Sequence, residues 1–192
     1  MKWKKDLPKD FLLALKISRF ISHIKRLEQV SEPLKEFIKR ALFLKENLGP
    51  FLLQLPPSFK CKDEEIKRLS FFIKSFNRYG RKKIFLAVEF RNKSCFTNEV
   101  FKLFKKHNVA LVASHSSKWE RIERFDLADF VYFRYHGPKE LFASSYSLKF
   151  LKKEAQKIKL LSKRRKVFIY FNNDFKAYAV KNALTLKSLL NT

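Results

Sequence analysis

A short apolar segment, residues 83–91, limits most strongly what this chain can fold into. Its sequence is Lys-Ile-Phe-Leu-Ala-Val-Glu-Phe-Arg, which is too short for most helices and is rich in β-branched and aromatic residues. A mostly polar pattern with helical spacing ends just before it at Gly80, and another begins near Thr97. The combination predicts a strand that is buried on both faces, as parallel strands are.

The end of this predicted strand is charged. Glu89 and Arg91 are two residues apart, so both side chains point to the same side of the strand, in register with Phe85 and Ala87. A buried strand that becomes charged only at its end is typical of α/β barrels, which build their sites at the carboxyl ends of the strands. We therefore predict a functional site around Glu89 and Arg91.

Predicted strands and helices alternate along the whole chain, with no hairpin signal between strands. The strands are predicted over residues 11–18, 50–55, 83–91, 109–114, 130–136 and 167–172. The helices are predicted from Ser31 to a left-handed cap at Gly49, over 63–80, from Thr97, over 140–161 and over 176–190, with a weak helical turn at 119–125. This alternation indicates βα units around a parallel sheet, either open and doubly wound or closed as a barrel.

Length and composition indicate one domain over residues 1–192, because the chain is too short for two sizeable cores. The first apolar run is cut by Lys16 and is too short for a signal sequence or a membrane span. We therefore predict a cytoplasmic protein with no membrane partner. Cys61 and Cys95 form no C-x-x-C pair and no His/Cys cluster, so we expect neither a disulfide framework nor a zinc site.

The formal net charge of +25 allows two interpretations. Phosphate neutralisation by Lys and Arg would make the protein a nucleic-acid binder. Alternatively the composition is simply biased, because lysine and phenylalanine are both over-used and the lysines are spread over every predicted helix. The densest basic run, residues 159–166, lies between a helix and a strand, and such runs are weak signals. We favour the biased composition and leave nucleic acid open as a partner.

Every predicted strand ends in polar residues, and in parallel α/β folds these ends share one face. The set is rich in cations and amides and suits an anionic small molecule, because guanidinium groups match phosphate and carboxylate. Glu89 is the candidate general base, with His136 or His23 as its acid partner. The predicted substrate-binding residues are Lys16, Arg19, His23, Gln54, Arg91, Arg134, Asn172 and Asn173.

These assignments have structural alternatives. Glu89 and Arg91 also fit an ion pair that plugs the end of a barrel, and His136, just before Gly137 and Pro138, also fits a hydrogen-bonded turn. No close spacing of metal ligands such as H-E-x-x-H is present, so we predict no metal site. The sequence contains no phosphate-binding or dinucleotide-binding glycine motif, and the cofactor stays unknown.

Several ordered motifs within residues 3–182 resemble the YecE-like family of uncharacterised proteins. They are Lys16-Ile-Ser-Arg-Phe-Ile-Ser-His-Ile-Lys-Arg-Leu27, Leu48-Gly-Pro-Phe-Leu-Leu-Gln-Leu-Pro-Pro-Ser-Phe59, Ala87-Val-Glu-Phe-Arg91 with Ser94, Arg134-Tyr-His-Gly137, Tyr170-Phe-Asn-Asn-Asp174 and Asn182-Ala183. The resemblance implies a TIM-like β/α barrel with a site at the strand ends. It implies no substrate, because the family has no established reaction.

The chain also departs from this family. Family members carry two further strands before the first strand here, so the resemblance implies an incomplete barrel with six of the eight βα units. The missing strands would come from an upstream segment, from a partner chain, or from neither if the protein is a decayed remnant. Because open sheet edges promote aggregation, we expect this chain to be poorly stable or self-associating.

Three single positions differ from the family pattern as well. Cys95 stands where the family usually has Trp, His115 where Asp is usual, and Ala177 near a usual Gly. The first difference loosens packing beside Glu89, and the second changes the charge of the site. The leading hypothesis is a hydrolase or transferase that acts on a phosphate-bearing or otherwise anionic substrate; the alternatives are a non-catalytic nucleic-acid-binding protein and an inactive remnant.

Overall fold

The computed structural model describes residues 7–8, 10–81 and 84–191, which fall into two compact units. Unit 1 is Met1–Val109 and unit 2 is Ala110–Thr192. Within the described residues of each unit, three strands pair in parallel with their neighbours in the sequence, and helices connect them. The predicted α/β fold with parallel strands is therefore confirmed in each unit.

Unit 1 alternates strands with helices as the sequence predicts. Its elements are β1 (Leu13–Lys16), α1 (Ser31–Ala41), β2 (Leu48–Gln54), α2 (Asp63–Tyr79), β3 (Leu86–Glu89) and α3 (Asn98–His107). The central strand β3 is buried at all four positions, as the apolar run predicts; its predicted first residue, Lys83, lies outside the described residues. The predicted cap at Thr97 is confirmed, because its hydroxyl accepts a hydrogen bond from the Val100 N–H at 3.3 Å.

An aromatic cluster fixes the helices of unit 1 against β2. The Phe51 side chain is fully buried, and its ring centroid lies 6.0 Å from that of Phe37 and 5.2 Å from that of Phe76. Phe37 belongs to α1 and Phe76 to α2, and both recur at the helical spacing that the sequence shows. The helices therefore pack on the strand through edge-to-face aromatic contacts.

The predicted helix from Ser31 to Gly49 is shorter than expected. It ends at Ala41 and continues as a 3₁₀ turn over Leu42–Asn47, inside which Lys45 has a positive φ of 49°. Gly49 is consequently no helix cap but a residue of β2. A Cβ atom on Gly49 would lie 2.9 Å from the Leu13 carbonyl oxygen of β1. The glycine is therefore explained by the close approach of two strands.

This contact predicts that Gly49→Ala destabilises the protein by about 1–3 kcal/mol, because the added methyl group meets rigid backbone and the strands must separate. Urea unfolding at equilibrium measures the change. Lys102→Ala, on an exposed position of α3, serves as the control and should change the unfolding free energy by less than about 0.5 kcal/mol. Identical midpoints for the wild type and Gly49→Ala would show that the two strands tolerate the methyl group.

A disulfide joins Cys61 and Cys95, which corrects our expectation from the sequence. The two cysteines are separated by 34 positions, yet they lie in the loops that follow the neighbouring strands β2 and β3. Their Cα atoms are 4.8 Å apart and both side chains are buried. Sequence spacing detects local ligand motifs, but it does not show that two loops on adjacent strands meet.

Unit 2 contains the remaining strands and helices of the described chain. They are β4 (Val109–His115), β5 (Phe130–Tyr135), α4 (Leu148–Ser162), β6 (Lys166–Phe171) and α5 (Tyr178–Asn191). β5 is buried throughout and pairs in parallel with both β4 and β6. None of the helices in the part of the chain that the structure describes is long and apolar enough to cross a membrane.

The predicted weak helical turn at residues 119–125 is wrong. Residues 120–124 are irregular, and Arg121 and Glu123 pair with each other at 2.8 Å and also with side chains of α4. Arg121 contacts Glu154 at 2.7 Å, and Glu123 contacts Lys157 at 2.5 Å. Tertiary pairing therefore overrides the weak local propensity of this segment.

The predicted helix over residues 140–161 begins eight residues later, at Leu148. Ser147 sets this boundary, because its hydroxyl accepts the Phe150 N–H at 3.3 Å. Ahead of it, the Ser144 hydroxyl accepts the N–H groups of Lys139 and Glu140, at 3.0 and 2.9 Å. A serine-stabilised turn therefore occupies the positions where we expected the first helical turns.

Candidate functional site at the carboxyl edge of the strands

The three strands of unit 1 end side by side, and their last side chains form a polar row. Strand pairing places Gln54 of β2 directly beside Glu89 of β3, and Lys16 of β1 beside Leu52 of β2. The Lys16 ammonium donates a hydrogen bond to the Gln54 Oε1 at 3.0 Å. The structure therefore brings together three residues that the sequence predicts as site residues.

Glu89 and Arg91 complete this row as a buried ion pair. The Arg91 Nη2 lies 2.9 Å from the Glu89 Oε1, and the Glu89 side chain is 0% exposed while that of Arg91 is 8% exposed. The contact confirms that both side chains point to the same side, as their spacing predicts. It also matches the structural alternative that we derived from the sequence, since buried charges require partners. We call Lys16, Gln54, Glu89 and Arg91 the carboxyl-edge row.

A one-turn π-helix, Phe20–Ile24, follows β1 and carries His23. Partial burial lowers the pKa of the His23 imidazole, and the charges of Arg19 and Lys16 lower it further, so the neutral ring is favoured at physiological pH. The Ser22 hydroxyl lies 2.8 Å from the His23 Nδ1. Because both cations act on the ring, Arg19 and Lys16 form one positive region around the neutral His23 imidazole, at the β1 end of the carboxyl-edge row.

The loops after β2 and β3 are tied to each other beside this row. The Asn92 Nδ2 donates to the Pro57 carbonyl at 2.7 Å, and the Ser94 hydroxyl accepts the Cys61 N–H at 3.1 Å. The disulfide from Cys61 to Cys95 adds a covalent link between the same two loops. The resemblance implied looser packing here, but the loops that frame Glu89 are cross-linked.

Unit 2 has its own set of polar residues at the carboxyl ends of its strands. Arg134 is the register partner of Ser114 and of Tyr170, so the three side chains lie on one face of the sheet. His136 follows on the same side and is buried, as is Arg134. Asn172 lies one residue after β6, and its N–H donates to the Tyr135 carbonyl at 2.7 Å. The predicted Arg134, His136 and Asn172 therefore belong to one edge of unit 2.

Trp119 is a residue of this edge that sequence reasoning missed. Its indole Nε1–H donates to the Ser114 hydroxyl at 3.0 Å, and its ring lies 5.4 Å from that of His136 in a T-shaped contact. Sequence reasoning passed over it because it lies in a segment that we expected to be a helical turn. The usable signal is its position, five residues after Ser114 in the loop that follows β4, because loops at strand ends often carry functional residues.

Asn173, also predicted as a site residue, uses its amide inside the protein. The side chain is fully buried, and its Nδ2 donates to the Ser144 carbonyl at 2.9 Å and to the Asn182 Oδ1 at 2.8 Å. Asn182 in turn accepts the Tyr146 N–H at 3.1 Å. Asn173 therefore links the end of β6 to α5 and to the loop before α4.

A buried charged network lies on the opposite face of β5, against α4. The Glu154 carboxylate accepts hydrogen bonds from Arg121 at 2.7 Å and from the Tyr135 hydroxyl at 2.5 Å, and Lys157 lies 3.6 Å away. Burial by itself raises the pKa of the Glu154 carboxyl, but the hydrogen bonds and the cations lower it below its usual range. No local sequence pattern indicates this network, because its members come from a loop, a strand and a helix.

His115 lies beside this network at the end of β4. Its Nδ1 is 3.0 Å from the Tyr146 hydroxyl, and its ring packs on the ring of Phe150 at 4.8 Å. Burial and then the charge of Arg121 lower the pKa of the His115 imidazole. Among the described residues, no three His, Cys, Asp or Glu side chains converge in a way that would hold a metal ion.

Comparisons with known proteins agree with this fold. A family model described as "Protein of unknown function DUF72" matches residues 1–192. The structure is similar to that of a DUF72 family protein from Thermotoga maritima MSB8, with a TM-score of 0.87 and 26% identity, over 100% of this chain and 78% of that one. A DUF72 family protein from Enterococcus faecalis V583 matches with a TM-score of 0.81 and 22% identity, over 100% of this chain and 82% of that one. No curated protein matches.

Proposed function

We propose that this chain, which belongs to the DUF72 family of proteins of unknown function, binds a phosphate-bearing or otherwise anionic small molecule at the carboxyl edge of unit 1. One observation carries the proposal: the Lys16–Gln54 hydrogen bond and the Glu89–Arg91 ion pair lie side by side at the ends of three parallel strands. A row of ammonium, amide and guanidinium groups matches the oxygens of a phosphate or carboxylate.

Each member of the row has a proposed role. Lys16 and Arg91 bind the anion, and Gln54 orients it through its amide. Arg19 adds positive charge from the turn after β1, and His23 supplies a neutral imidazole that can accept a proton. Glu89 is the proposed general base in a hydrolysis or transfer reaction at the phosphate, with Arg91 holding its carboxylate in place.

For unit 2 we propose a separate binding role at its own strand ends. The carboxyl ends of its parallel strands also share one edge. There Arg134 offers a guanidinium, His136 an imidazole and Asn172 an amide. Trp119, held by Ser114, adds an aromatic surface that suits a planar or sugar-like group. Asn173 positions this edge through its internal hydrogen bonds.

Several finer assignments are proposals as well. The quoted motifs support membership of the YecE-like proteins within the family. The alternation of strands and helices, together with the similarity to the two DUF72 structures, supports a single TIM-like barrel domain to which this chain contributes six βα units. We also propose a cytoplasmic location, in which the Cys61–Cys95 disulfide forms only under oxidising conditions.

Isothermal titration with inorganic pyrophosphate and with ribose 5-phosphate tests the binding proposal. We expect Lys16→Met to weaken binding about 10-fold or more, because a hydrogen bond to a charged group contributes about 1.5–3 kcal/mol. The matched control is Lys39→Met, which removes the same charge from an exposed position of α1. Equal affinities for the wild type and Lys16→Met, or no binding of any phosphate by the wild type, would contradict the proposal.

Glu89→Gln tests the catalytic role separately from binding. We expect it to lower turnover of a phosphate-ester substrate by about 10²–10⁴, since the amide cannot take up a proton. Binding of the same phosphate should change much less, because the glutamine keeps the size of the side chain beside Arg91. Release of inorganic phosphate measures turnover, and full activity of Glu89→Gln would remove Glu89 from the reaction.

A further inference from the structure

A polar cleft lies at the edge of unit 1 opposite the carboxyl-edge row, where α2 and α3 end and the chain approaches β3 and β4. We call it the amino-edge cleft; its volume is about 700 Å³. It is lined by Lys74, Asn77, Arg78, Ile84, Lys106, His107 and Asn108. We propose that the amino-edge cleft binds single-stranded nucleic acid through its phosphate backbone.

The charge of the amino-edge cleft is of one sign. Among the residues of the described chain that line it, none is acidic, while Lys74, Arg78 and Lys106 are cations. The neighbouring groove between the same two helices differs, because Asp63 and Glu99 line it together with its lysines. Positive charge is therefore not spread evenly over unit 1, and a cleft lined by one sign of charge concentrates the potential that attracts phosphates.

Helix dipoles account for part of this arrangement but not for all of it. Arg78 lies in the last turn of α2, and Lys106 and His107 in the last turn of α3, where cations are favourable. Cations that only offset the helix dipoles would need neither a cavity between them nor an amide side chain beside them, however. The Asn77 Nδ2 donates to the His107 carbonyl at 3.3 Å and so ties the two helix ends together at a fixed distance. A hydrogen bond between the two helix ends therefore stabilises the shape of the cleft.

The size and chemistry of the cleft favour one nucleotide of a single strand. A volume of about 700 Å³ greatly exceeds that of a lone phosphate and is in the range of small-molecule pockets. Arg78 offers a guanidinium plane on which a base can stack, and Ile84 offers an apolar contact. A duplex keeps its bases stacked inside, whereas a single strand can turn one base into such a cleft while its phosphates contact the lysines.

Fluorescence anisotropy with a fluorescein-labelled single-stranded DNA 20-mer tests this inference over a series of salt concentrations. The cleft variant carries Lys74→Gln, Arg78→Gln and Lys106→Gln. The matched control carries Lys35→Gln, Lys39→Gln and Arg40→Gln, which remove the same charge from exposed positions of α1 in the same unit. Thermal unfolding followed by circular dichroism verifies that both variants fold, and Lys106→Gln alone repeats the test with one change.

We expect the cleft variant to bind about 10–100-fold more weakly at 0.1 M salt and the control to lose less than about 3-fold. The slope of log affinity against log salt should fall by about 2 in the cleft variant, because each lost phosphate contact contributes about 0.7. Equal weakening of both variants would show that only net charge matters and would overturn the inference. Absence of wild-type binding at 0.1 M salt, or displacement of the 20-mer by equimolar tripolyphosphate, would overturn it too. Lys16→Met should leave this binding unchanged, so the test is independent of the carboxyl-edge proposal.

Discussion

Replacing Glu154 by leucine should lower the free energy of unfolding by about 3 kcal/mol, because it removes the buried carboxylate that pairs with the partly buried Arg121 and leaves that guanidinium, among the described residues, only Glu123, at 2.8 Å. Arg121 also lies over the rings of Phe133 and Tyr135, at 5.2 and 5.6 Å, and is not free to turn to solvent. Tyr135→Phe, which removes only the hydroxyl that donates to Glu154, should cost about 1 kcal/mol. Equilibrium unfolding in urea measures both changes.

The same network predicts how stability depends on pH. The pKa of the Glu154 carboxyl is lower in the folded protein than the value of about 4.3 expected in the unfolded chain. The carboxylate therefore contributes its full stabilisation above pH 4.3, and this contribution is lost as the pH falls through the lower folded-state pKa. Glu154→Gln should show a smaller loss of stability over that interval than the wild type.

Glu120→Ala is the control for these experiments, since Glu120 is an exposed carboxylate in the same segment of unit 2. It should change the free energy of unfolding by less than about 0.5 kcal/mol. If Glu154→Leu unfolded at the same urea concentration as the wild type, then the network would be dispensable and the packing of α4 on β5 would have another cause.

Removing the disulfide is the second change with a large expected effect. Its 34-residue separation in the chain predicts that Cys61→Ala combined with Cys95→Ala lowers the free energy of unfolding by about 4 kcal/mol, if the cross-link acts mainly on the unfolded chain. The two alanines keep the buried positions apolar. Dithiothreitol should lower the stability of the wild type by a similar amount and leave the double variant unchanged.

A thiol assay on the unfolded protein supplies the control for this prediction. Without reductant we expect no free thiol, and after reduction we expect both Cys61 and Cys95 to react. Two free thiols in the oxidised preparation, or an unfolding midpoint that is insensitive to dithiothreitol, would show that the loops after β2 and β3 are held by the Asn92 and Ser94 hydrogen bonds alone.

The carboxyl-edge row could be predicted because it follows from local rules. The apolar run before Glu89 predicts a buried strand, and the spacing of Glu89 and Arg91 places both side chains on one side. Parallel pairing then brings the last residues of β1, β2 and β3 to one edge. Each step uses either the alternation of side chains along a strand or the common direction of parallel strands. Neither rule requires knowledge of side-chain contacts between distant segments.

The features that could not be predicted depend on contacts between distant segments. The Cys61–Cys95 disulfide and the Arg121–Glu154 pair each join residues more than 30 positions apart, so no local sequence pattern predicts them. The predicted cap at Gly49 is wrong for a related reason, since the carbonyl that explains this glycine belongs to β1. A glycine after a helix suggests a cap, and only the neighbouring strand shows that close packing is the actual cause.

The most direct test of the central claim is a crystal of the protein soaked in tungstate, which resembles phosphate in shape and charge and scatters X-rays anomalously. The proposal predicts an anomalous peak at the carboxyl edge of unit 1, in contact with Lys16, His23 or Arg91, and the loss of this peak in Lys16→Met. Peaks confined to the amino-edge cleft, with none at the carboxyl edge, would contradict the proposed anion site.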